Sequence, residues 1–303
     1  MKLTFLGTAA GECYPALWCE CPNCSYAREH KGQNIRLNSC VLVDDDTLLD
    51  MGSTCFSAAQ RENINLTQVQ RLFVTHTHLD HFYPQHLVWR GGAFSMQGPV
   101  EITEKLQAIP ENPTLVGPRF SPLPMLNIFG HETVRQAMAE NPRLPKTDAE
   151  MASRCAMCFH PLEKAQTVQD GDVRATAILS HHGHPGGSVF NYIIERGGKT
   201  LLYALDTGGY DDDMLDIIKT HQYDCVVMEG TFGLHAIDVD FHMNTRKNLQ
   251  MLDFFTQNQL WKTTPNLWLS HMGPHWVPPH DRYAPYMAER GVNIAYDGLT
   301  ITF

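Results

Sequence analysis

The chain has 303 residues, of which 43% are hydrophobic and 18% charged, which is ordinary for a globular protein with an α/β domain. It contains no apolar run long enough to span a bilayer, and its start lacks the apolar core of a signal peptide. We therefore expect a cytoplasmic protein without a membrane partner. The formal net charge is −10, which argues against nucleic acid as a partner.

The first half of the chain is predicted to contain three strands, formed by aliphatic and β-branched runs that Gly, Asp and Ser interrupt. These strands comprise residues 2–8, 39–52 and 69–78. Residues 53–66 are predicted to form a helix that is capped at or near Ser53. Residues 97–124 are rich in proline and lack periodicity, which indicates an insertion or a long loop.

The second half begins with a predicted strand, turn and helix at residues 124–140. Five further strands are predicted, and all but the second end in a polar or potentially metal-binding residue. They comprise residues 172–184, 188–195, 199–209, 223–232 and 265–273. Strands with intervening helices predict a single layered α/β domain with two sheets over residues 1–303.

A cluster of histidines and an aspartate follows the strand predicted at residues 69–78. His76 and His78 point the same way because side chains alternate along a strand, and Asp80 and His81 lie in the turn that follows. Four imidazole or carboxylate groups within six residues can bind two adjacent divalent metals. The motif His-x-His-x-Asp-His therefore predicts a two-metal site.

This motif resembles the signature of the metallo-β-lactamase superfamily, and the resemblance extends over the whole chain. It implies an αββα sandwich, in which two mixed β-sheets are flanked by helices. It also implies that Asp50 stabilises the metal-binding loop without contacting the metals. Asp206 would bridge the two metals, and His271 would be the last ligand along the chain. Asp80 would then serve both as a metal ligand and as a catalytic residue.

One further ligand of the resembling family precedes a hairpin in the stretch that holds His181, His182 and His184. The alternation of apolar positions fits His182 best, with His181 close behind. Mixed histidine and carboxylate ligands accept zinc or manganese, and iron is also compatible. Two such ions would bridge a hydroxide and stabilise the oxygens of a phosphoryl group.

Two later motifs resemble those of the ribonuclease Z family and its phosphodiesterase relatives. In that family a Glu orients a His, which protonates the leaving group, and the matching residues here are Glu229 and His242. The alternative interpretation is a charge at a strand end and a histidine on a surface loop. Arg90, in the helix after the metal motif, is a candidate contact for an anionic substrate.

The cysteine-rich stretch Leu-Trp-Cys-Glu-Cys-Pro-Asn-Cys resembles the amino-terminal cluster of the phosphoribosyl cyclic phosphodiesterase (PhnP) family. The resemblance implies one structural zinc, with His275 as the fourth ligand because that family uses a His just past its last metal ligand. The three thiolate ligands would be Cys19, Cys21 and Cys24. Free thiols are the alternative; Cys13 is the nearest other thiol, and the pair Cys155 and Cys158 could form a separate site.

These motifs predict a metal-dependent hydrolase, most closely a phosphodiesterase that acts on a small-molecule phosphodiester, including cyclic ones. One alternative is an RNA-processing nuclease of the ribonuclease Z type, although the chain lacks a basic arm for tRNA. Another is an iron-dependent oxidoreductase of the same fold. The sequence leaves the oligomeric state open, and a homodimer is compatible with it.

Overall fold

The computed structural model describes residues 1–95, 123–183 and 189–303. Strands β1–β14 are Lys2–Gly7, Cys40–Val43, Thr47–Leu49, Arg71–Phe73, Leu126–Gly130, Met157–Pro161, Thr167–Asp170, Val173–Leu179, Phe190–Arg196, Lys199–Ala204, Cys225–Glu229, Leu267–Ser270, Val292–Ile294 and Thr300–Thr302. Helices α1–α8 are Pro22–His30, Cys55–Arg61, Gln85–Ser95, Glu132–Glu140, Asp148–Cys155, Asp212–Lys219, Thr245–Gln257 and His280–Ala288. None of the helices within these described ranges is long and apolar enough to cross a bilayer.

The strands form two seven-stranded sheets, in the orders β14-β1-β2-β3-β4-β5-β6 and β13-β12-β11-β10-β9-β8-β7. In the first sheet, β14 to β3 pair antiparallel and β3 to β6 pair parallel. In the second, β7 to β10 pair antiparallel and β10 to β13 pair parallel. Both sheets are therefore mixed, which confirms the predicted architecture.

Three apolar clusters hold the layers together, and the alternation of side chains along the strands explains them. In β10, Leu201 and Tyr203 face the cluster between the sheets, whereas Leu202 and Ala204 face the cluster under the helices on the outer side. A third cluster joins the outer face of the first sheet to its helices and contains Leu72 of β4. The layers are thus helices, sheet, sheet and helices.

The carboxyl ends of several strands meet at one edge of the sandwich. Strands β3 and β4 are parallel in the first sheet, and β10, β11 and β12 are parallel in the second. Three residues just beyond these strands have left-handed backbone conformations that L-residues rarely adopt: Asp50 (φ 62°), Asp206 (φ 50°) and His271 (φ 57°). Such backbone strain is concentrated at functional sites, and these residues belong to the candidate site described below.

A network of arginines and aspartates joins the two sheets at the opposite end. Arg71 begins β4 and Arg196 ends β9, so the two guanidinium groups come from different sheets. Asp46, in the turn between β2 and β3, lies 3.0 Å from Arg71 Nη1 and 2.7 Å from Arg196 Nη1. Three further aspartates belong to the network: Asp170 contacts Arg71, and Asp44 and Asp172 contact Arg196.

The structure differs from the sequence predictions in several places. Helix α2 begins after Thr54 without a side-chain cap, and the Ser53 hydroxyl donates instead to Asn38 Oδ1 at 3.0 Å. Helix α1 and the short strands β6, β7, β13 and β14 were not predicted. Residues 97–122 of the predicted insertion lie outside the described residues.

Candidate active site and metal centres

The loop after β4 and the ends of β8 and β10 bring four potential ligands together. His76 Nε2 lies 2.8 Å from His78 Nδ1 and 3.2 Å from Asp206 Oδ2, and His182 Nε2 lies 3.5 Å from the same oxygen. Donor atoms bound to one zinc ion at about 2.1 Å lie about 3.4 Å apart in a tetrahedral site. His76, His78, His182 and Asp206 therefore form a group that could hold one ion.

A second group shares Asp206 with the first. His81 Nε2 lies 3.0 Å from His271 Nε2 and 3.1 Å from Asp206 Oδ2. Asp80 Oδ2 lies 3.3 Å from His271 Nε2 and 3.4 Å from His81 Nε2. Asp80, His81, Asp206 and His271 therefore form a group that could hold a second ion, and Asp206 is common to both groups.

Outer contacts fix the orientation of the imidazoles. Asp50 Oδ2 lies 2.8 Å from His81 Nδ1, so the ring can donate there and leave Nε2 for a metal. His182 Nδ1 donates to the Phe241 carbonyl at 2.9 Å, which likewise leaves its Nε2 free.

The last histidine is held by a threonine. Thr231 Oγ1 lies 2.8 Å from His271 Nδ1 and donates to the His271 carbonyl at 3.0 Å, so it can accept the Nδ1 proton. The Nε2 lone pair of His271 is then available on the side of Asp80.

Two buried polar atoms test whether these residues fit metal ions. His182 Nε2 and Asp206 Oδ1 are buried, and neither forms a hydrogen bond with any described residue; His271 Nδ1 lies 3.1 Å from Asp206 Oδ1 but is not aligned to donate to it. An unsatisfied buried polar atom is costly, and both atoms are typical metal ligands. The donor set therefore fits divalent cations.

The charge balance leads to the same conclusion. Asp50 and Glu229 are fully buried and Asp206 is 2% exposed, so their charges are poorly solvated. Within the described part of the chain, only histidines pair with these carboxylates and with Asp80; no lysine or arginine does. A cluster of buried carboxylates without a permanent cation is an environment that binds metal ions.

The pKa shifts of the cluster act in opposite senses on metal binding, because a ligand carboxylate must be ionised and a ligand imidazole must be neutral. Burial acts to raise the pKa of Asp206, but the neighbouring imidazoles of His271 and His81 hold it well below its usual range. Burial acts to lower the pKa of His81, yet the carboxylates of Asp206, Asp80 and Asp50 raise it well above its usual range. The Asp206 carboxylate is therefore ionised, as metal binding requires.

Glu229 and His242 form a pair beside the cluster. Glu229 is the last residue of β11, and its Oε1 accepts from His242 Nδ1 at 2.8 Å and from the backbone N–H of Thr207 at 2.7 Å. Burial acts to lower the pKa of His242, but the Glu229 carboxylate raises it to about 9. His242 Nδ1 also lies 3.7 Å from Asp206 Oδ1, so the pair adjoins the bridging residue.

Other candidates lie elsewhere. The His181 side chain is exposed and pairs with Asp211 at 2.8 Å rather than facing the cluster, and His184 lies outside the described residues. The guanidinium of Arg90 donates to the carbonyls of Cys155, Ala156 and Pro124 and so stabilises local backbone, and its contact with a substrate stays a prediction.

The cysteine stretch and the loop after His271 meet at a second centre. Cys19 Sγ lies 3.6 Å from His275 Nδ1, and Cys19, Cys21 and His275 form a group that could hold an ion. Cys24 is fully buried, and its thiol interacts with those of the other two cysteines. The structure thus brings the four predicted groups into one region.

The donor group lacks two of the candidate cysteines, and one nearby carboxylate was missed. Among the described residues, neither Cys13 nor Cys24 is in the donor group, although the thiol of Cys24 interacts with those of Cys19 and Cys21; Cys155 and Cys158 lie on different elements, at the end of α5 and in β6. The sequence did not reveal Glu12, whose Oε2 lies 2.7 Å from His275 Nε2. A carboxylate behind a ligating histidine is a common outer contact, but nothing in the local sequence pairs these two residues.

Comparisons with known proteins agree with the fold. Residues 113–263, about half of the chain, match the model of the β-lactamase superfamily domain. No curated protein sequence matches the chain.

Solved structures share the fold at low sequence identity. A diphosphatase from the PhnP family is 16% identical with a TM-score of 0.69, covering 100% of this chain and 96% of its own. Zn²⁺-bound PqqB from Methylobacterium extorquens is 15% identical with a TM-score of 0.66, covering 100% of both chains. The short form of human tRNase Z is 18% identical with a TM-score of 0.60, covering 100% of this chain and 99% of its own.

These identities establish the fold alone, whereas the family model matches the sequence itself. The resemblance inferred from the His-x-His-x-Asp-His motif is confirmed. The chain belongs to the β-lactamase superfamily and has the metallo-β-lactamase fold.

Proposed function

We propose that the protein is a metal-dependent hydrolase that cleaves small phosphodiesters at the centre around Asp206. The observation that carries this proposal is the set of buried carboxylates whose ion-pair partners among the described residues are all histidines, with Asp206 shared between two groups of ligands. Bound divalent ions would act there as Lewis acids, lowering the pKa of water and stabilising charge on phosphoryl oxygens. Zinc or manganese fits the donor set, and iron is also compatible.

The ligands position the reacting groups. His76, His78 and His182 would hold one ion, His81, His271 and Asp80 the other, and Asp206 both. Because Asp50 and the backbone contacts hold these rings in place, the site is organised before a substrate arrives. Asp80 is 15% exposed at its side chain, so it borders the space that a substrate would enter.

His242 would protonate the leaving oxygen. Glu229 accepts the Nδ1 proton, so the ring is oriented with Nε2 available to a substrate. The side chain of His242 is 14% exposed, which allows contact with a ligand, while Glu229 is fully buried. The Glu229 carboxylate raises the pKa of His242, which favours the protonated ring that a general acid needs.

Small diesters suit this chain better than RNA. The net charge of −10 disfavours a long phosphate backbone, and a wide basic surface is the usual footprint of RNA binding. The similar structures include both a diphosphatase and a tRNase, so the fold itself accommodates either substrate. The net negative charge of the chain therefore favours small diesters over RNA as substrates.

The test is hydrolysis by the metal-loaded chain. We expect it to cleave bis(p-nitrophenyl) phosphate and a ribose cyclic phosphate, and to lose this activity after chelation. A precursor tRNA offered in competition at physiological salt should remain intact. Site-specific cleavage of the tRNA would favour a nuclease, and absence of any phosphodiester hydrolysis at full metal loading would contradict the proposal.

A further inference from the structure

Two loops of the candidate site lie side by side. The Asp206 loop, residues 205–209, follows β10, and the His242 loop, residues 239–242, precedes α7. The first loop carries the carboxylate that both groups of ligands share, and the second carries the candidate proton donor. The distance between the two loops therefore sets where the proton donor lies relative to the metal ligands.

The two loops are in direct backbone contact. A Cβ at Gly208 would lie 1.9 Å from the Asp240 carbonyl oxygen, so only a residue without a side chain fits at this point. His242 Nδ1 in turn lies 3.7 Å from Asp206 Oδ1. Separating the loops would thus move the candidate proton donor away from the metal ligands.

The side chain of Lys247 joins the two loops. Lys247 is the third residue of α7, and its side chain reaches back from the helix. Its Nζ donates to the Gly208 carbonyl at 2.8 Å and to the Val239 carbonyl at 2.6 Å. One ammonium group therefore holds a carbonyl of the Asp206 loop and a carbonyl of the His242 loop at a fixed separation.

This position is unfavourable for a cation as far as the helix itself is concerned. Helix α7 has no acidic residue in its first turn, where a positive side chain opposes the helix dipole. Arg246 is neutralised by Asp238, whereas Lys247 forms no ion pair with any residue in the described part of the chain. The described contacts of the Lys247 ammonium group are thus the two loop carbonyls, which compensate its charge.

The other contacts of the His242 loop run through groups of the site itself. The Phe241 carbonyl accepts from His182, a candidate ligand. His242 donates to Glu229, which also accepts from the backbone N–H of Thr207 in the Asp206 loop. Lys247 belongs to neither group of ligands and is not a candidate proton donor, so its contribution is to hold the backbone of both loops.

We propose that Lys247 is a positioning residue that holds the His242 loop at the distance from the Asp206 loop that proton donation requires. The inference rests on the proposed function, in which His242 protonates the leaving oxygen. A general acid works only within hydrogen-bond reach of that oxygen, and a misplacement of about 1 Å can cost about 100-fold in rate. Lys247 therefore acts on the reaction through His242, and its effect is confined to leaving groups that need a proton.

The test removes the two hydrogen bonds and compares two leaving groups. Metal content and melting temperature are measured for every variant. In metal-loaded Lys247→Met we expect kcat on a ribose cyclic phosphate to fall by about 10- to 100-fold, with little change in KM. Hydrolysis of bis(p-nitrophenyl) phosphate should change little, because p-nitrophenolate leaves without a proton. Lys146→Met is the matched control, since Lys146 also donates to two backbone carbonyls, those of Ala139 and Asn141, and it should leave both rates unchanged.

A double-mutant cycle separates positioning of the acid from a general structural role. His242→Ala already lacks the acid, so adding Lys247→Met to it should cause little further loss on the ribose cyclic phosphate. Gly208→Ala provides a second variant, because its Cβ would push the same two loops apart, and it should show the same dependence on the leaving group.

Three results would overturn the inference. They are equal losses on both substrates in metal-loaded Lys247→Met, losses that add fully to those of His242→Ala, and loss of bound metal from both Lys247→Met and Gly208→Ala. The proposed function fails separately: a wild-type chain that hydrolyses neither substrate would overturn it and the inference together. A dependence on the leaving group in His242→Ala that is absent from Lys247→Met would overturn the inference alone.

Discussion

Carboxylates cluster at both ends of the sandwich, but their partners differ. At one end, Asp46 is bound by the guanidinium groups of Arg71 and Arg196 and so helps to join the two sheets. At the other end, Asp206 is 2% exposed and pairs only with histidines among the described residues. The same residue type therefore completes an ion-pair network in one place and leaves lone pairs for an added ligand in the other.

The difference lies in the chemistry of the partner. Guanidinium is permanently charged and donates in a fixed fork, so a carboxylate facing two arginines needs no further cation. Imidazole is neutral over much of the physiological pH range and offers a lone pair of its own. Carboxylates surrounded by imidazoles thus assemble donors around a gap suited to a metal ion, at the cost of a strained backbone at Asp206.

The largest expected effect comes from replacing one aspartate at each end of the sandwich by asparagine and comparing the two variants. Asp206→Asn keeps the shape but weakens the bridge, so the chain should lose at least one bound ion. Hydrolysis of bis(p-nitrophenyl) phosphate should fall about a thousandfold or more. Asp46→Asn is the matched control and should keep both metals and activity. Metal analysis of the two variants checks this, and full metal content with full activity in Asp206→Asn would remove the distinction between the ends.

A loss confined to substrates with a poor leaving group is expected at His242, the candidate proton donor that Glu229 orients. His242→Ala should slow hydrolysis of a diester with a poor leaving group by about 100- to 10,000-fold while both metals stay bound. With p-nitrophenolate, which leaves without a proton, the loss should be much smaller. Steady-state rates on the two substrates decide the matter, and equal losses would argue against an acid role.

The cysteine centre offers a further carboxylate for comparison with those at the two ends. Glu12 contacts His275, which would itself bind the zinc ion. His275→Ala should lose the structural zinc and lower the melting temperature. Glu12→Gln should weaken zinc binding by about 10- to 100-fold, since it changes only the outer contact to His275. Chelator competition measures this. His235→Ala, which removes a nearby histidine outside the cysteine centre, is the control and should leave zinc retention unchanged; unaltered retention in Glu12→Gln would contradict a role for this contact.

The smallest effect is expected at Asp46, in the network of arginines and aspartates that joins the two sheets. Burial acts to raise the pKa of Asp46, but Arg196 and Thr47 hydrogen bonds and the charge of Arg71 hold it below its usual value. Asp46→Asn should therefore lower the free energy of unfolding by ~1–3 kcal/mol at neutral pH. Because the folded-state pKa is depressed, the contribution is present above about pH 4 and is lost as the pH falls below it. Denaturant unfolding at several pH values measures this, and a constant difference down to acid pH would contradict the assignment.

Much of the fold was predictable, because its central strands carry continuous apolar runs that end in polar residues. The short strands were not: β7 (Thr167–Asp170) alternates between exposed and half-buried residues and lacks an apolar run, so only its pairing with β8 makes it a strand. Long-range pairing of this kind cannot be inferred from a local pattern.

The candidate site was predictable where ligands follow strand ends and less so where partners are distant. The motif around His76 is contiguous in the sequence. The choice between His181 and His182 instead depended on long-range contacts, because Asp211 pairs with His181 whereas the Phe241 carbonyl accepts from His182. Arg90 lies in the expected helix, but neighbouring carbonyls, invisible in the sequence, take up its donors.

The central claim is that the carboxylates at the site end are completed by two divalent ions that share Asp206. Anomalous diffraction from crystals of the manganese- or zinc-loaded chain tests it most directly. We predict two peaks, both in contact with Asp206, one surrounded by the first group of ligands and the other by the second: His76, His78 and His182, and Asp80, His81 and His271. A catalytically active crystal with no ion at Asp206, or with a single ion there at saturating metal, would contradict the account.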